Sequence, residues 1–242
     1  PTEAELKSAF LFVKNHPFPA MPEVAQQISE ELNKSEPELH RLIELINSDI
    51  ALAGIVLKSI NSAGYGFSEI ESIQQAVTML GLDKIKHIVT ASYIEKFLPI
   101  KSDYVRQIFE DSKTLARISS LASAELNGQP SDEAYIAGLM LDSGAIFLSE
   151  YVSEQYESVY DLKNDKPLSI NHIEDLRVGT NHAVVGYLFA KHWKLPDNVC
   201  SAIYLHHNAP CTKVGNADLR NLLATLKLAD YLSAKVCGGM LY

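Results

Sequence analysis

Residues 135–148 read YIAGLMLDSGAIFL. The stretch is apolar with one carboxylate in it, Asp142. Tyr135, Leu139 and Ile146 fall on one face at helical spacing, with Asp142 between them, which predicts a single helix over about 132–150. A carboxylate on the buried face of a core helix is costly unless it is neutralised or paired. The stretch therefore poses two questions: what surrounds this helix, and what meets Asp142.

Outward from it, the apolar spacing is helical nearly everywhere, and strand-length alternation is rare and short. The segment HPFPAMPEV (16–24) is expected to be extended, because each proline biases its predecessor away from the helix. A helix is predicted from about Glu23 to Asn33. SEPELHRLIELIN (35–47) starts another, with Ser35 as cap and Pro37 in the first turn. SDIALAGIVLKSIN (48–61) gives a third with Ser48 as N-cap, closed by NSAGYG, where Gly64 or Gly66 can take a left-handed conformation. Two more follow, separated at Gly81. Pro99 in FLPIKSD breaks the pattern, and a new run starts at Tyr104. The expected organisation is all-α: a front helical lobe over 1–98 and a rear helical lobe over 99–242, sharing one interface.

The bulk numbers bound the function. The 242 residues are 47% hydrophobic and 21% charged, an ordinary soluble composition with enough apolar mass for a substantial core. A net charge of -9 argues against a nucleic-acid groove, which needs clustered Lys and Arg. No apolar run approaches the ~20 residues of a membrane span, and the first ten residues carry no signal-peptide pattern. The three cysteines, Cys200, Cys211 and Cys237, are odd in number and lack CxxC spacing, which fits a reducing cytoplasm and buried small hydrophobes.

In the rear lobe, ionisable residues recur on apolar stripes. Asp111 and Ser112 fall on the face that carries Tyr104, Ile108, Leu115 and Ala122. His182 lines up with Val185, Phe189 and Trp193. Asp230 shares the stripe of Leu222, Leu223 and Leu226. His206 and His207 are adjacent, and adjacent helical residues point about 100° apart, so at most one would face directly inward. One buried Asp or His is ordinarily a satisfied structural residue. Several on facing helices are how bundles build metal sites. Two readings stand at this point: a metal site, inherited or working, or scattered structural polars.

The segments FPAMPEV, INSDIALAGIVLKSINSAGYG, IESIQQAVTMLGLDKIKHIV, YIAGLMLDSGAIFL, HAVVGYLFAKHWKLPDNVCSAIYLHHNAP and LKLADYL, in this order, resemble the HDOD family, the HD-related output domains of bacterial signalling proteins. The resemblance runs from about Phe18 to Pro210. It implies descent from HD-type metal-dependent phosphohydrolases, with an extra helical lobe in front. On that pattern the first metal-binding His corresponds to Asp111 or Ser112, and the His of the His-Asp pair to Leu141. Its Asp is Asp142, the further histidines resemble His182 and His206 or His207, and the final Asp resembles Asp230.

Leucine has no lone pair, so two of the four core ligand positions depart from the hydrolase pattern. The resemblance thus implies a degenerate site with no metal, no cofactor and no catalysis. It implies an output module acting on signalling or regulatory proteins, with no nucleic-acid or membrane partner. The alternative is a metal-dependent phosphohydrolase of a nucleotide or phosphoester, with Asp111, Asp142, His182, His206 or His207, and Asp230 in a rearranged shell. Elsewhere, His16, His40, His87, His172 and His192 are expected at surfaces or helix ends, and Trp193 as a core anchor of the W.LP turn. Asn61 and Ser62 are read as hydrogen-bonding their turn.

Overall fold

The helical periodicity resolves into fourteen α-helices among the residues described, 1–32, 34–62, 70–127, 131–163, 170–207 and 210–236 of a computed structural model; these residues contain no strand. In chain order they are α1 (Glu3–Asn15), α2 (Glu23–Leu32), α3 (Leu39–Ser48), α4 (Ile50–Ser62), α5 (Ile73–Leu80), α6 (Leu82–Phe97) and α7 (Asp103–Asn127). They continue with α8 (Ser131–Met140), α9 (Ser143–Tyr151), α10 (Ser153–Tyr160), α11 (Ile170–Val178), α12 (His182–His192), α13 (Asp197–Leu205) and α14 (Ala217–Val236). None is long and apolar enough to cross a membrane. Gly64, Gly66 and Cys237 lie outside the described residues, as do the side chains of Ser62 and His87.

The chain forms two compact units: residues 19–97, and residues 1–18 together with 98–242. The sequence reading placed α1 in the front lobe; the structure places it in the larger unit. There α1 packs on α12, His16 stacks on Tyr151 with centroids 4.6 Å apart, and the Tyr204 hydroxyl donates to Glu5 Oε2 at 3.0 Å. Phe18 then enters an aromatic cluster, 4.9 Å from Phe147 and 5.2 Å from Phe189. The prolines at 17, 19 and 22 separate α1 from α2, so continuity of sequence did not imply continuity of packing.

In the 19–97 unit, buried Ile28, Leu42, Ile46, Leu52, Val56, Ile85 and Val89 form the core. Its helix starts differ from the sequence reading. Ser35 and Pro37 precede α3, and Glu31 accepts the Glu38 N–H at 2.7 Å at that helix's entrance. Ser48 ends α3, and it is Asp49 whose carboxylate accepts the Leu52 N–H at 3.0 Å at the start of α4. Ser72 caps α5 through the Gln75 N–H, and Gly81 closes it at φ +80°, a conformation glycine adopts without penalty.

In the larger unit, Trp193 is buried beside Phe189, and each such aromatic contributes about 1.5–3 kcal/mol by burial. After it, Lys194 takes φ 52°, and the Leu195 N–H reaches back to the Ala190 carbonyl at 3.0 Å. This tight turn stops α12 and launches α13. Cys200 and Cys211 are free thiols, and burial pushes the Cys200 thiol up to about 11, which leaves it unreactive.

Candidate functional site: a buried Asp-His cluster

The single helix expected over 132–150 is broken at Leu141–Asp142 into α8 and α9. Asp142 sits at the break with φ -99° and ψ 18°, and its backbone carbonyl accepts from Ala145 and Ile146. Its side chain does not cap α9. The carboxylate is therefore presented at a helix start and not on a helix stripe.

Glycines bring α12 to that point. A Cβ on Gly144 would lie 2.0 Å from the His182 carbonyl oxygen and 2.6 Å from the Gly186 nitrogen. On the other side, a Cβ on Gly186 would lie 3.0 Å from Ile203 Cγ2 of α13. Backbones this close set His182, the first residue of α12, beside Asp142. They also set the end of α13 beside His182.

Asp142, His182, His206 and His207 each offer a ligand atom, and all four atoms lie within 4.8 Å of one another. His182 Nε2 is 3.2 Å from His206 Nε2. Asp142 Oδ1 is 3.7 Å from the first and 3.8 Å from the second. Asp142, His182 and His206 are buried and His207 is half-buried. Both adjacent histidines join the cluster at the end of α13. His206 and His207 lie in the turn that follows Leu205, with His206 still at helical φ -61° and ψ -29°.

Glu174 completes the site and was missed in the sequence. It is fully buried. Its oxygens lie 2.7 and 2.9 Å from His182 Nδ1, accept the His182 backbone N–H at 2.9 Å, and accept the Tyr156 hydroxyl at 2.7 Å. Burial, and then the Glu174 charge, push the Tyr156 phenol well above its usual value of 10.0, so it stays a donor. A carboxylate behind a histidine fixes the ring's tautomer and orientation, as in metal sites.

Two residues named from sequence are not in the cluster. Asp111 is exposed and accepts from Gln107 Nε2 at 2.9 Å. The buried neighbour on α7 is Ser112, whose hydroxyl donates to the Ile108 carbonyl at 2.8 Å. Asp230 is half-buried on α14, outside the four-residue group. Leu141 is 2% exposed.

The HDOD domain matches residues 18–209. The chain belongs to the HDOD family. It superposes on an HDOD domain protein of unknown function from Geobacter sulfurreducens with a TM-score of 0.79 and 24% identity, over 98% of this chain and 80% of that one. It matches a candidate phosphohydrolase of Shewanella amazonensis SB2B with a TM-score of 0.78 and 21% identity, over 95% and 81%. An uncharacterized protein of Treponema pallidum is 23% identical over 194 residues, 79% of this chain. This HDOD chain spans 38% of the length of that relative.

Proposed function

We propose that this HDOD chain is a regulatory output module that works through contacts with signalling proteins in the cytoplasm and does not hydrolyse phosphoesters. The observation that carries the reading is the state of the ancestral ligand positions. Leu141 stands buried beside Asp142, and Asp111 faces solvent. A hydrolytic centre needs an open metal position where water is activated, and two of its inherited donors are missing. The net charge of -9 and the free thiols Cys200 and Cys211 support a protein partner and a reducing compartment. A candidate signal transduction protein of Marinobacter aquaeolei VT8 shares the fold, with a TM-score of 0.72 and 22% identity over 94% of this chain and 54% of that one.

A second reading, a metal-dependent phosphohydrolase, is favoured by the convergence of Asp142, His182, His206 and His207. The two are separated by assaying the chain with manganese, iron or zinc against an aryl phosphodiester, nucleotides and cyclic dinucleotides, beside His182→Ala. No turnover above that variant is expected. Metal-dependent turnover that His182→Ala abolishes would replace the regulatory reading with the hydrolase.

A further inference from the structure

We infer that the outward face of α14 docks an acidic amphipathic helix of a partner protein. This rests on the regulatory reading, in which the chain works through protein contacts, and it names the surface and the chemistry that the partner presents.

One side of α14 belongs to the core of the larger unit. Leu222, Leu223, Leu226 and Ala229 are buried, and the helix packs on α7, α8 and α13. The opposite side repeats at alternating steps of three and four residues: Asn221, Ala224, Leu228, Tyr231 and Lys235. That is the spacing of a seam that a second helix covers. Leu228, Tyr231 and Leu232 are 39, 37 and 37% exposed. They follow one another at i, i+3 and i+4, so they form one continuous apolar patch. Ala224 is exposed too, and its small side chain leaves room beside Leu228 for a partner's. A single exposed leucine needs no explanation. Three large apolar residues on one seam do.

Charge chooses the occupant. Arg220 and Lys227 flank the seam, and Lys235 closes it with its Nζ 4.9 Å from the centroid of the Tyr231 ring. Arg220 is held in place by a hydrogen bond from Nη1 to the Val214 carbonyl at 3.1 Å. The two carboxylates of α14, Asp218 and Asp230, are turned more than about 100° of helix away from the centre of the seam. The seam is therefore cationic in a chain whose net charge is -9. Two copies pairing through it, parallel or antiparallel, would bring together the cations of both with no carboxylate on either seam, which opposes self-pairing. An anionic membrane matches the charge but makes no use of a three-four repeat, and helices that lie on lipid carry a broader apolar face. A helix with leucine-type residues at the same spacing and Glu or Asp on its flanks fits on both counts. Its apolar side chains cover Leu228, Tyr231 and Leu232, and its carboxylates meet Arg220, Lys227 and Lys235.

The test titrates the whole chain with a synthetic peptide of about 20 residues, long enough to hold a helix. It carries leucines at alternating steps of three and four and glutamates on the flanks; a twin peptide has lysines in place of the glutamates. The methyl signals of Leu228 and Leu232 report the site. Expected are saturable shifts with the glutamate peptide that weaken with salt, and binding of the lysine peptide at least ~10-fold weaker. The two peptides on wild type decide the matter without any variant. Leu228→Ser and Tyr231→Ser should each weaken binding by ~10-fold or more, with folding checked by circular dichroism. Lys227→Glu combined with Lys235→Glu should reverse the preference between the peptides. No binding of either peptide, equal binding of both, or a preference that charge reversal leaves unchanged overturns the inference. A dimer of the chain that Leu228→Ser dissociates, or binding of anionic phospholipid vesicles that Leu228→Ser abolishes, overturns it too, by giving the face to a second copy or to a membrane. Phosphoester turnover is measured separately. Turnover would sink the regulatory reading, whereas failure of the peptides without turnover would leave that reading standing and strike this surface alone.

Discussion

Gly144 and His182 meet backbone to backbone: a Cβ on the glycine would stand 2.0 Å from the histidine's carbonyl oxygen. The clash is with main chain, so no rotamer change relieves it. Gly144→Ala should cost at least ~3 kcal/mol, the upper range of overpacking, after any gain in helix propensity. Gly186→Ala meets a side-chain methyl and a hydroxyl at 3.0 and 3.1 Å and should cost less, ~1–3 kcal/mol. Urea denaturation of both variants checks the order. Equal losses would mean that α9 and α12 do not cross at this point.

Tyr156→Phe removes a hydroxyl that donates to the buried Glu174 at 2.7 Å. Hydrogen bonds to charged groups contribute about 1.5–3 kcal/mol, and a loss in that range is expected at pH 7. The phenol adds an alkaline signature. Its folded-state value is raised above the usual 10.0 by burial and then by Glu174. The stability that follows is present below 10 and is lost as pH rises above it, because the unfolded phenol ionises first. Wild type should weaken more steeply than Tyr156→Phe between pH 9 and 11, a window bracketing that value. Denaturation midpoints across the range, parallel for the two proteins, would remove Tyr156 from the account.

The helices and the convergence of Asp142, His182 and one of His206 and His207 were legible, because ionisable residues among apolar ones announce burial; that both histidines of the pair join the cluster was not. Nor was Glu174. It stands in NHIEDLRV among Asn171, His172, Asp175 and Arg177, which reads as a solvated face. Its burial comes from α11 turning it onto α12, a tertiary fact without periodic trace. Asp111 failed for a different reason: one residue is 100° of helix, and the buried side belongs to Ser112. The α8–α9 break was hidden because Leu141 and Asp142 continue an apolar pattern. It follows from the close approach at Gly144, which sequence spacing does not encode.

In the 19–97 unit, Asp49 does two jobs that separate variants can divide. Its carboxylate accepts the Leu52 N–H at the start of α4 and pairs with Lys96 Nζ of α6 at 2.7 Å. The Lys96 bond, with the Leu52 N–H, holds the Asp49 carboxyl below its usual 3.8. Asn keeps the cap and loses the charge, so Asp49→Asn should cost ~0.2–1 kcal/mol at pH 7. Asp49→Ala should cost ~1–2 kcal/mol. The charge contribution is fully present above about 3.8 and is lost as pH falls through the lower folded value. The gap between wild type and Asp49→Asn should therefore close on acidification, by thermal melts at stepped pH. A gap that stays constant to acid pH would show that Lys96 contributes nothing.

Asn61 and Ile70 are paired at two points. Asn61 Nδ2 donates to the Ile70 carbonyl at 3.0 Å, and the Ile70 N–H donates to Asn61 Oδ1 at 2.9 Å. One side-chain amide thus ties the last turn of α4 to the residue leading into α5, across the chain's NSAGYG segment. Only a group with a donor and an acceptor side by side can do this. Asn61→Ala should cost about 1–2 kcal/mol for the two bonds. Asn61→Asp should cost more at pH 7, because an ionised carboxylate then faces the Ile70 carbonyl with no hydrogen between them. Protonation restores a donor, so the Asp variant should recover relative to the Ala variant as pH falls through the carboxyl range. Denaturant melts of both variants at neutral and acid pH, with hydrogen exchange at the Ile70 amide, read this directly. If the Asp and Ala variants track each other at every pH, Asn61 is a passive turn residue and the two-point pairing carries no stability.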